Sequence, residues 1–141
     1  VKSHQITMPV YVYTPLVYVQ SKEKYFGSLY RSQDLKYAAE TALNKLGFYP
    51  TGKKDEAELF MKIEANTEKG SEQSDQKIFT AFLNMSIQVK DKNEMIVYSE
   101  TLKKIKGIQL SFEQANTVAY EKAQEEINKS IIPQFVNSFI Q

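Results

Sequence analysis

The sequence predicts an α+β fold: a two-layer sandwich with a mainly antiparallel sheet and two helices on one face, in the order β-α-β-β-β-α. Three observations carry that reading. Segments 28–46 and 112–131 each place apolar residues on one stripe at helical spacing. Segments 57–66, 77–90 and 95–106 alternate apolar and polar residues with a period of two. Polar stretches join those three strands, so they form a meander whose apolar face needs a cover, and the two one-sided helices supply it. A length of 141 residues suits one core, and residues 1–141 are read as a single domain.

The elements follow in order. Residues 5–20, QITMPVYVYTPLVYVQ, are rich in Val and Tyr, which suit a pleated, half-buried surface. Pro9 and Pro15 cannot donate to a ladder. An extended N-terminal strand is expected, broken at Thr14-Pro15, lying at a sheet edge or entering the sheet late. Residues 21–27, SKEKYFG, read as a loop. In 28–46, Leu35, Ala38, Ala39, Ala42, Leu43 and Leu46 share a helix face, with Ser28 or Ser32 as N-cap. Gly47-Phe48 reads as a Schellman stop, the glycine left-handed and the phenylalanine folded back on the last turn. Lys45 suits the negative end of the helix dipole.

Leu59, Met61, Ile63 and Ala65 form the apolar side of the next strand. The polar run 66–76, NTEKGSEQSDQ, reads as a mobile hairpin tip. Ala81, Leu83, Met85, Ile87 and Val89 form the apolar side of the following strand, and DKNE, 91–94, is a turn. In the last strand Ile96, Tyr98 and Leu102 are expected to point inward. Ser111-Phe112-Glu113-Gln114 is a capping-box pattern. The helix after it carries Ala115, Val118, Ala119, Ala123, Ile127, Ile131 and Phe135 on one stripe, and Pro133 is expected to kink or end it.

The same residues exclude much chemistry. The chain has no cysteine, which removes disulfides, thiolate nucleophiles, zinc–thiolate sites and iron–sulfur clusters. One histidine, His4, cannot build an ordinary four-ligand zinc site. Five scattered glycines write neither a phosphate loop nor a dinucleotide fingerprint. Asp55, Glu56 and Glu58, and Glu121, Glu125 and Glu126, sit beside lysines away from the apolar stripes and read as solvated charge. Net charge is +1, too balanced to imply nucleic acid. The order α-β-β-β-α also matches a double-stranded-RNA-binding domain. Such a domain needs cations where its second helix starts, and Ser111 to Ala115 offers none. Lys103, Lys104 and Lys106 read instead as protection of an edge strand. No apolar run approaches the roughly 20 residues needed to span a bilayer. The chain opens on Val1, and a mature or trimmed piece is expected, with any targeting segment or lipid-attachment cysteine upstream.

Residues 89–127, with Ile96-Val97-Tyr98-Ser99, Gly107, and Ala115, Ala119 and Ala123, resemble the end of a recurring bacterial envelope domain. Residues 42–65, ALNKLGFYP followed by DEAELFMKIEA, resemble its earlier helix, Gly-Phe turn and strand, with Glu58 where an Asp is usual. The pattern is similar to the βαβββα domains of the TolB N-terminus, FlgT and CsgG. It looks closest to the accessory region of LPP-twenty-type lipoproteins. The resemblance implies a non-enzymatic, periplasmic or outer-membrane-associated domain, with membrane contact only through an upstream lipid anchor. It implies partners among other envelope proteins or itself, and it transfers no catalytic residue. No cofactor, metal or nucleic acid is expected. The crowded N-terminal aromatics Tyr11, Tyr13, Tyr18, Tyr25 and Phe26 are the candidate interaction surface, since tyrosine offers large contact area at low entropy cost. Core and edge packing is the plainer account of the same residues. A small-ligand module, with a pocket between these aromatics and the sheet, is the second functional reading.

Overall fold

The computed structural model describes residues 15–29, 32–73 and 77–140. It is an α+β sandwich built on a six-stranded mixed sheet. Strand β1 (Leu16–Tyr25) turns back into the two-residue β2 (Ser28–Leu29), and helix α1 (Asp34–Lys45) follows. After β3 (Tyr49–Pro50) and a short 3-10 turn come β4 (Leu59–Gln73), β5 (Ile78–Asp91) and β6 (Ile96–Gln109). Helix α2 (Phe112–Glu126), a π turn (Ile127–Ile131) and α3 (Ile132–Ile140) complete the described chain. The sheet order is β2-β1-β4-β5-β6, with β3 beside β1. The meander β4–β5–β6 is antiparallel, as the alternation predicts, while β1 runs parallel to β4 and β3.

One face of the sheet is apolar and lies under the helices. Val17 and Val19 of β1, Leu59 to Ala65 of β4 and Ala81 to Val89 of β5 bury every second residue there. Ala39, Ala42 and Leu43 of α1 and Ala119, Tyr120 and Ala123 of α2 close the same core. The Schellman stop is formed. Gly47 has φ +90°, its N–H donates to the Asn44 carbonyl (3.2 Å), and the Phe48 N–H donates to the Leu43 carbonyl (2.9 Å). Phe48 is thereby buried against Phe135 and Phe139. The serine half of the capping box is also formed, with Ser111 Oγ accepting from the Gln114 N–H at 3.1 Å.

Gly107 explains how α2 reaches its strand. A Cβ there would collide with the Ala115 carbonyl oxygen and lie 2.7 Å from the Ala119 nitrogen. The missing side chain lets the first turn of α2 rest directly on β6.

Five expectations need correction. Residues 21–25 are strand, because Ser21 and Glu23 continue the inward side of β1 and Glu23 is buried. Ser28 lies in β2, and α1 starts only at Asp34 with no side-chain cap from its own N-terminus. Its cap comes from Glu23, whose Oε1 accepts the Leu35 N–H at 3.0 Å. The polar run from Asn66 is ladder through Gln73, since β5 supplies backbone partners on that side despite the polar side chains. Ile96 is 56% exposed: the pairing slips between Val89 and Lys90, so Ile96 sits opposite Lys90 and not on the Tyr98 side. Pro133 does not end the helical rod, and the irregularity expected there lies in the turn before it. The π turn before it bonds the Ile132 N–H to the Ile127 carbonyl, and the wider turn accommodates a residue that cannot donate.

Candidate functional site

Among the described residues no element covers the face of the sheet opposite the helices. Outward positions of β1, β4, β5 and β6 line three adjoining grooves on it. The first holds Lys22, Lys24, Asn66, Asn84 and Lys103 and has a volume of about 320 Å³. It shares Glu64, Ser86 and Thr101 with the second. The second shares Lys62 and Gln88 with the third, which ends at Tyr18 and Phe60. Together they make one trough that crosses the sheet from a basic end at Lys22, Lys24 and Lys103 to an aromatic end where Tyr18 and Phe60 stand among Lys54, Lys90, Lys92, Asp91 and Glu94.

The basic end has defined hydrogen-bond polarity. Asn66 and Asn84 face each other across β4 and β5. The Gly27 N–H donates to Asn66 Oδ1 and the Lys104 N–H donates to Asn84 Oδ1, both at 3.0 Å. A backbone donor requires an acceptor, so both amides are oriented and each leaves its NH2 group for the groove. Lys104 reaches Asn84 because it sits in a bulge of β6 with φ +59°. Glu64, which lines the first two grooves, is held by Lys62 at 3.0 Å.

A second polar cluster lies on the buried side. Glu23, 3% exposed, accepts from Ser21 Oγ (2.7 Å) as well as from Leu35. Burial pushes its carboxyl above the ordinary glutamate value, and the bonds from Leu35, Ser21 and the Lys36 N–H pull part of that back. A raised carboxyl can serve acid–base chemistry, but this one is sealed beneath the first turn of α1 and its oxygens are engaged. It caps a helix. Beside it Thr67 Oγ1 accepts from the Phe26 N–H (3.0 Å) and donates to Asn116 Oδ1 (2.6 Å), tying the β1–β2 turn to α2. Tyr120 donates to the Lys24 carbonyl from the same side (2.5 Å).

No family model matches the chain, and no curated protein matches it. Solved structures do. A minor lipoprotein from Acinetobacter baumannii superposes with a TM-score of 0.52 at 12% identity, covering 89% of this chain and 90% of that one. The uncharacterized lipoprotein B from Nitrosomonas europaea gives 0.50 at 14%, covering 86% and 79%. A Helicobacter pylori protein, provisionally described as a neuraminyllactose-binding hemagglutinin homolog, gives 0.51 at 14%, covering 86% and 81%. This chain has the fold of bacterial lipoproteins. Among the described residues no helix is long and apolar enough to cross a membrane.

On that lipoprotein-like fold the predicted aromatics are dispersed. Tyr11 and Tyr13 lie outside the described residues. Tyr18 is half-buried at the aromatic end of the trough. Tyr25 is 39% exposed at the end of β1, in edge contact with Phe26. Phe26 is half-buried, stacked edge-on against Phe112, with Lys69 Nζ 5.4 Å from its ring. The structure thus separates Tyr18 from the Tyr25–Phe26 corner. Sequence reasoning missed Asn66, Asn84 and Lys22 as site residues. The available signal was their common outward parity on alternating strands, which becomes a surface only once the strand order is known.

Proposed function

We propose that this chain is a non-enzymatic assembly domain of a bacterial cell-envelope lipoprotein, anchored through an upstream lipid and contacting other envelope proteins or a second copy of itself. The observation that carries the reading is the fold shared with bacterial lipoproteins across more than four-fifths of this chain. The close contact of Ala115 and Ala119 with Gly107 supports the finer kinship with the TolB N-terminal, FlgT and CsgG domains, because it gives a physical role to the residues that carry the resemblance. The contact surface is the outer edge of β1. Among the described residues β3 covers that edge only at Leu16–Val17 and β2 only at Lys24–Tyr25, so residues 18–23 between them suit strand addition. The absence of cysteine and the single histidine favour a non-enzymatic role.

Metabolic labelling with a radioactive fatty acid, followed by membrane fractionation of the full-length gene product, tests the reading. A labelled protein in the envelope fraction is expected; an unlabelled cytosolic protein refutes it. A photo-crosslinking residue at position 20, exposed on that open stretch, should give adducts with envelope proteins or with a second copy. Adducts only with cytosolic proteins would refute the contact surface.

A further inference from the structure

We propose that the trough on the helix-free face is a binding site for an anionic saccharide, with its carboxylate or phosphate seated between Asn66 and Asn84. The polarity of the basic end carries the argument. The two amides stand directly opposite on neighbouring strands, at a cross-strand side-chain spacing of about 5 Å. Their oxygens are occupied by the backbone N–H groups of Gly27 and Lys104, so the groups left over are donors. Lys22 and Lys24 stand on the β1 side and Lys103 on the β6 side. Two NH2 groups flanked by three ammonium groups match an oxyanion and reject a cation. Across β1, β4, β5 and β6 the three strand spacings come to roughly 14 Å. An oxyanion is therefore met from both rims as well as from the floor.

The rest of the trough selects the body of the ligand. Past the cradle its lining turns to hydroxyls and an amide, from Ser86, Ser99, Thr101 and Gln88. Those groups both donate and accept, which suits a run of sugar hydroxyls. Glu64 adds an acceptor, with its charge matched by Lys62. At the far end Tyr18 and Phe60 offer ring surface among the charged Lys54, Lys90, Lys92, Asp91 and Glu94. A nucleic acid strand would carry phosphates at regular intervals along this path, whereas the middle of the trough is charge-balanced. That contrast favours a ligand whose middle is neutral and whose charge sits at an end. The oxyanion site stands on geometry alone. Its assignment to an envelope saccharide rests on the reading above.

The test is calorimetric titration of the folded chain with maltotrionate, an oligosaccharide with one terminal carboxylate, and with a sugar phosphate, a neutral dextran oligomer, single-stranded DNA and phosphatidylglycerol vesicles. Binding of the maltotrionate or the sugar phosphate, with none of the dextran, is expected. Asn84→Asp keeps the acceptor for the Lys104 N–H and replaces the donor by a negative oxygen, so it should weaken binding at least about tenfold at an unchanged thermal midpoint. Lys103→Gln should weaken it by a similar factor, and added salt should weaken the wild type. Tyr18→Ser should weaken an oligosaccharide more than a monosaccharide phosphate. Equal binding by Asn84→Asp overturns the cradle, as does absence of any anion binding. Tighter binding of the DNA or the vesicles overturns the saccharide assignment. A cytosolic location in the fractionation experiment refutes the envelope reading and leaves these titrations to decide the cradle separately.

Discussion

Replacing Glu23 tests the least local device in the fold, a helix cap supplied from another strand. Glu23→Ala removes the acceptor of the Leu35 N–H and of the neighbouring Lys36 N–H, and the partner of Ser21 Oγ. Leu35 is fully buried, so water cannot replace the lost bond. A lost cap costs about 1 kcal/mol and each orphaned buried donor about 1–3 kcal/mol. A loss of about 2–4 kcal/mol follows. With a urea slope of about 2 kcal/mol/M, mid-range for small domains, the midpoint should fall by about 1–2 M. Glu23→Gln keeps an acceptor oxygen without burying a charge, and should stay within about 1 kcal/mol of wild type at neutral pH.

The pH dependence separates the two substitutions further. Burial raises the folded carboxyl above its unfolded value, so the folded state holds this proton more tightly. Stability from Glu23 is then fully present below the unfolded pKa and declines as pH rises through the folded one. The stability of Glu23→Gln minus that of wild type should therefore rise from the ordinary glutamate range upward and then level off. Urea titrations between about pH 4 and 8 read it. An unchanged midpoint for Glu23→Ala would refute the remote cap. A flat or falling difference for Glu23→Gln would refute the raised carboxyl.

Two further outcomes are expected. Ser111→Ala should lower stability by about 1 kcal/mol through the lost bond to the Gln114 N–H, read as a lower urea midpoint at constant slope. Gly107→Ala should cost about 3 kcal/mol or more, since the added Cβ meets helix backbone rather than a movable side chain; a thermal midpoint equal to wild type would show that α2 does not rest on β6 as described.

What the sequence made legible was what it encodes locally. The alternation of Leu59 to Ala65 and of Ala81 to Val89 specified two strands and their buried sides, and both are as expected. Gly47-Phe48 and Ser111 marked helix ends through bonds spanning three to five residues. The failures share a cause of the opposite kind. The start of α1 was misplaced because its cap lies 12 residues upstream and on another element. Residues 21–25 read as loop because a buried Glu23 makes sense only with that helix above it. Ile96 was assigned inward because a bulge changes parity without any composition signal. For the candidate site, Tyr18, Tyr25 and Phe26 were visible as aromatics, yet strand pairing decides which surface each occupies. The amide pair Asn66–Asn84 is created by register alone.

The π turn before Pro133 has a consequence for how the last helical rod divides its work. A π turn carries one residue more than an α turn, so it rotates everything beyond it by about 100° relative to an uninterrupted helix. Upstream, Ala119 and Ala123 look down at the sheet. Downstream, Phe135 meets Phe48 and the sheet residue Tyr98, and Phe139 meets Phe48 and Phe135. Deleting a single residue within 127–131 would turn the π turn into an α turn and leave Phe135 in its aromatic pocket, whereas inserting one would swing it out by about 100° without touching any residue of that pocket.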